Sequence, residues 1–151
     1  MNASVATEFH DVIRPLLARM GMAESRDPQR LVVTLMVDES LTVALLGHQP
    51  GFLVVIAELP EPVDTGDAQR LLPLLSANGF TAEHPPLIGS VQADGGRFSL
   101  WARQRLAELD EAGVVALFDR LLAAASAVRD WLREPLPEPD AREPLHGEMR
   151  V

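Results

Sequence analysis

The residues that could do chemistry begin with four histidines, His10, His48, His84 and His146. They fall in a first helix, a turn, a loop and the C-terminal tail. No pair has the spacing of a helical metal site such as HExxH. They read as ordinary surface and loop histidines. Asp38 and Glu39 sit side by side in a strand connector and could form at most a weak metal site. Asp64 and Asp67 precede a helix and read as a turn and a cap. Paired catalytic carboxylates need opposed placement and one raised pKa, which spacing alone does not supply. Ser40, Ser76, Ser90, Ser99 and Ser126 lie outside any GxSxG elbow. Gly89-Ser90 is too short for a phosphate cradle, and GxGxxG and GxxxxGK are both absent. All 13 basic residues are arginine, so neither a P-loop lysine nor a Schiff base is possible. With no cysteine there is no thiol nucleophile, no disulfide framework and no cysteine zinc site. This inventory predicts no enzyme, no cofactor and no metal.

Composition narrows the partners. The chain of 151 residues carries a formal charge of −9 and a pI of about 4.8. Such a surface repels nucleic-acid phosphates and anionic lipid. Tyrosine is absent and aromatics are 5% of residues, too few for base-stacking platforms. No apolar run reaches the roughly 20 residues of a bilayer span. The N-terminus, MNASVATEFHDVIRPLL, lacks the basic start and apolar run of a signal peptide. The expectation is a cytoplasmic protein with neither nucleic-acid binding nor membrane insertion. The all-arginine usage is read as GC-rich coding.

The elements follow from periodicity. Val5, Phe9, Val12, Ile13, Leu16, Leu17 and Met20 make one stripe of a helix over 4–20, ended by Gly21. Pro15 should kink it or delay its start. Strands are predicted at Leu31 to Val37, Leu41 to Leu46 and Phe52 to Leu59, joined by short links that favour antiparallel hairpins. A helix from about Asp67 to Asn78 follows, its regular part starting near Leu72 because of Pro73. Leu87 to Ala93 and Arg97 to Leu106 are strands around the Asp94-Gly95-Gly96 turn. Asp110 caps a long helix over 110–133. The order is α-βββ-α-ββ-α, an α+β domain over 1–134 with a five-stranded antiparallel sheet. Residues 135–151 are rich in proline and charge and are expected to be a disordered tail.

Both faces of this sheet are apolar. Leu31, Val33, Leu35 and Val37 point one way, and Val32, Thr34 and Met36 the other. Leu53, Val55, Ala57 and Leu59 oppose Phe52, Val54 and Ile56. A half-solvated sheet would alternate apolar with polar. Three helices cover one face and hardly two, so a subunit partner or a client peptide is the simplest remaining cover. On the last strand Trp101 lies among Arg97, Arg103 and Arg105. That is either an interface anchor or a tryptophan shielded by arginine stems.

Several strings, in order, resemble the type III secretion chaperones of the CesT/Tir-chaperone family (class I). LLARMGM at 16–22 is similar to that family's first-helix ending. LLPLLSANGF at 71–80 resembles its second helix. DGGRFSLWARQRLAELD at 94–110 resembles its last hairpin, and AVRDWL at 127–132 the end of its third helix. The resemblance covers about residues 5–133. It implies a small cytosolic homodimer without catalysis. Each protomer would bind an extended segment near the N-terminus of a secreted effector and keep it soluble and secretion-competent. It further implies effector contacts at Leu16, Met20, Val32, Met36, Val54 and Ile56. Dimer contacts would fall at Leu71, Leu75 and Trp101. The competing expectation is a non-catalytic regulatory adaptor of the same fold that binds a folded partner.

Overall fold

Five antiparallel strands form one sheet in the order β1-β2-β3-β5-β4. They are β1 (Val32–Val37), β2 (Leu41–Leu46), β3 (Phe52–Pro62), β4 (Ile88–Val91) and β5 (Arg97–Arg105). The helices are α1 (Ala3–Arg19), α2 (Ala68–Ser76) and α3 (Glu111–Arg133), with a 3-10 turn at Leu106–Glu108. This computed structural model describes residues 3–23, 27, 29–64, 66–79, 82–92 and 96–136. Most of the expected tail and the Asp94-Gly95 part of the expected turn lie outside them.

The core fills one side of the sheet. α1 contributes Phe9, Ile13, Leu16 and Leu17, and α3 contributes Val114, Leu117, Phe118, Leu121 and Ala125. Both pack on Val33, Leu35, Val43, Leu45, Leu53, Val55, Ala57, Leu100 and Ala102. Each large side chain so buried contributes roughly 1.5–3 kcal/mol. That explains why α1 continues unbroken through Pro15. The lost backbone bond costs about 3 kcal/mol, and buried residues on both sides of the proline outweigh it. The helix ends in a Schellman turn. Gly21 N donates to Ala18 O (3.0 Å) and Met22 N to Leu17 O (2.9 Å). Gly21 sits at φ +66°, where a side chain would be strained.

α2 starts earlier than Pro73 suggests, because Asp67 caps it. The Asp67 carboxylate accepts from Gln69 N (3.0 Å) and Arg70 N (3.3 Å). It buries only Leu74 fully and packs on β4. Two side chains fasten it. Arg70 stacks on the Trp131 ring at 5.0 Å, and its guanidinium donates to Trp131 O (2.7 Å) and to Glu134 O. These are carbonyls at the negative end of α3, where a cation is favoured. Asn78 grips β4: its Oδ1 accepts from Gly89 N (2.6 Å) and its Nδ2 donates to Gly89 O (2.8 Å). Glycine is required there, since a Cβ would lie 2.5 Å from the Phe98 ring.

β3 runs past Leu59 to Pro62, with a register shift between Glu58 and Pro62 against β5. That irregularity accommodates Pro60 and Pro62, which have no N–H for a ladder. Within it Glu61 receives Arg129 Nε (3.1 Å) and Arg133 Nη2 (2.6 Å), which ties the end of β3 to α3. Burial opposes ionisation of Glu61. A backbone hydrogen bond, Arg129 and Arg133 more than offset it and hold the carboxyl below its ordinary value.

Candidate binding face

The strand register arranges the second face of the sheet in rows. Val32, Leu46, Val54 and Arg103 are successive cross-strand neighbours. The next row is Thr34, Ala44, Ile56, Trp101 and Ile88. The third is Met36, Thr42, Glu58, Ser99 and Ser90. Phe52, opposite Arg105, begins a partial row beside Val54. Most of these positions are half-buried or exposed, and Met36 is 71% exposed. α1 and α3 both pack on the opposite face, so no helix of the described residues covers the Val54–Ile56–Trp101 field. Rows lie about 7 Å apart and strands about 5 Å apart. The apolar field is therefore wide enough for an extended peptide or a flat protein surface.

Of the residues expected to meet a client, Val32, Met36, Val54 and Ile56 share this face. Leu16 does not. It is 1% exposed, because it lies on the same α1 stripe as Phe9 and Ile13 and faces the core. Met20 packs half-buried against that core, also away from the open face. The residue that approaches the sheet edge is Met22, just past the end of α1, where the chain turns at Gly21. With Leu17, Arg30, Val32 and Thr34 it lines a cleft of about 150 Å³ beside β1. Of the residues expected at a dimer contact, Leu71 and Leu75 lie on α2, with Leu75 41% and its neighbour Leu72 62% exposed. Trp101 lies directly across from Ile56. Leu71 and Leu75 lie on a helix tied through Arg70 to the end of α3, whereas Trp101 adjoins the client residues. That adjacency follows from register, which single-strand alternation does not encode.

The two sheet edges differ. At β4 the outward N–H and C=O of Gly89 are taken by Asn78. Among the described residues, β1 is bordered by no further strand. Among the described residues no group of three histidine, aspartate or glutamate side chains could hold a metal ion, and no helix is long and apolar enough to cross a membrane.

A sheet with two helices on one side and an uncovered apolar face on the other defines a class of binding protein. The chain belongs to the Tir chaperone protein (CesT) family, whose model matches residues 11–129. No curated protein matches it. Its fold is similar to solved chains of secretion complexes. One is in the heterodimeric ExoU–SpcU complex from the type III secretion system of Pseudomonas aeruginosa. The identity there is 25% and the TM-score 0.62, over 80% of this chain and 96% of that one. A chain of the ExoT–SpcS complex, also from Pseudomonas aeruginosa, matches at 22% identity and TM-score 0.62 over the same shares. The Yersinia pestis type III secretion chaperone SycH, in complex with a fragment of YscM2, has the same fold. It matches at 16% identity and TM-score 0.65, over 80% of this chain and 98% of that one.

Proposed function

We propose that this chain is a class I type III secretion chaperone. It acts in the cytoplasm, without catalysis. It binds an extended N-terminal segment of a secreted effector and keeps that segment soluble and secretion-competent. The observation that carries this reading is the uncovered apolar field Val32, Val54, Ile56 and Trp101 on a family member of net charge −9. Apolar burial at roughly 25 cal/mol per Å² can hold a segment with no fold of its own. The β1 edge offers a second mode, in which a client adds as a strand. We assign the client contacts to Val32, Met36, Val54 and Ile56, with Met22 at the cleft. We assign a homodimer contact to the exposed side of α2, Leu71, Leu72 and Leu75, extending toward Trp101. We assign the domain to residues 1–134 and leave 135–151 outside it.

The test is co-expression with candidate effectors encoded nearby, followed by size-exclusion chromatography with light scattering. The expected mass is two chains plus one effector segment. A lone monomer with no co-eluting client would overturn both the dimer and the chaperone assignment. A stable pair with a folded partner, and no uptake of its isolated segments, would assign the chain to regulation instead.

A further inference from the structure

Three arginines of β5, Arg97, Arg103 and Arg105, occupy alternate positions beside the open face. Arg97 is neutralised by Glu58, at 2.6 Å. The other two are not. Arg103 places its guanidinium over the Phe52 ring at 4.7 Å and, among the described residues, makes only a long bond to Gln49 Oε1, at 3.4 Å. Arg105, directly across from Phe52, has no carboxylate partner among the described residues. In a chain where 22 acidic residues outnumber 13 arginines, carboxylates are plentiful. Among the described residues none is supplied to these two arginines. The face's own carboxylate, Glu58, lies four residues along β3 from Val54, about 13 Å away.

We propose that Arg103 and Arg105 form a carboxylate subsite at the end of the apolar field. The extended segment seated on Val54, Ile56 and Trp101 then carries an acidic side chain beside its apolar anchors. This rests on the open face being the client site. Stacking on Phe52 uses the flat side of the Arg103 guanidinium and leaves its N–H edge, whose planar fork matches a carboxylate. The stack also fixes the long side chain before binding, so less freedom is lost on capture. A locally positive spot on an acidic protein gives discrimination. The rest of the surface repels an acidic segment, and only this register accepts it.

The experiment uses the full chain and short fluorescent peptides of alternating leucine and serine, with one aspartate walked along them. Asparagine and lysine counterparts are measured by anisotropy alongside. The best aspartate peptide should bind about fivefold more tightly than its asparagine counterpart, and the lysine peptide more weakly than both. Arg103→Glu with Arg105→Glu should reverse the aspartate–lysine order, and Arg103→Gln should level it. Equal binding of aspartate and asparagine peptides, or a preference that survives in the double variant, would overturn the subsite while leaving the open face as the client site. Failure of every peptide to bind would sink the open-face assignment and the subsite with it. A change in association state of the double variant by light scattering would give these arginines to a second copy, against the proposal.

Discussion

Glu61 shows how one side chain joins distant parts of the chain. It lies in the irregular stretch of β3 and receives Arg129 and Arg133 from the last turns of α3. Its carboxyl is held below the ordinary glutamate value of 4.5. A depressed carboxylate contributes stability above the unfolded pKa and loses it as pH falls through the folded one. Glu61→Gln should therefore lower the urea midpoint at pH 7 by the equivalent of about 1–2 kcal/mol. The gap to the native chain should narrow as pH drops below about 4.5. A gap of constant size from pH 7 to pH 3 would contradict the ion-pair account. None of this was legible in the sequence, since 68 positions separate Glu61 from Arg129. Arg70 and Asn78 were hidden for the same reason: their partners, Trp131 and Gly89, are fixed only by the tertiary fold. What could be read at this scale was local, such as Asp110 capping α3 through Gly113 N at 2.7 Å.

Elements were more legible where a strong stripe faced the core. β2 and α3 fall within a residue of their expected limits, because alternation and a capped helical stripe each define one buried side. α2 was harder. Its cap and its proline argue for different starts, and the cap prevails. The β1–β2 hairpin carries a cost that alternation does not reveal. Asp38 and Glu39 both stand in the left-handed region, at φ 51° and 60°, while Ser40 N closes the turn on Val37 O at 3.3 Å. Such turns favour Asn-Gly, and a side chain there costs about 1 kcal/mol. Glu39→Gly should raise stability by about 0.5–1 kcal/mol, offset in part by the freer unfolded chain. That gain amounts to roughly 1–4 °C in melting temperature for a chain of this size. A lower melting temperature would mean that Glu39 makes contacts outweighing its backbone strain.

For the whole molecule, sequence alternation disclosed that both faces of the sheet are apolar, but not which residues meet across strands. Leu16 went to the core and Trp101 came beside Ile56 because helix rotation and strand register are decided by the assembled layers. Met36, well exposed on β1, gives a clean probe of the open face. Met36→Glu should weaken client binding about tenfold or more, the worth of one buried methionine, and leave the dimer mass unchanged by light scattering. Loss of the dimer with client affinity intact would reverse the assignment of faces. The grip of Asn78 on Gly89 bears on a different hazard. Endless edge-to-edge strand pairing, a route to fibrils, needs two raw borders on every molecule. Here one border is occupied by the chain's own amide at the middle of β4, while β1 stays receptive. Growth through β1 therefore stops at a pair. The chain is in this way kept from seeding a polymer of itself while its open apolar face stays available.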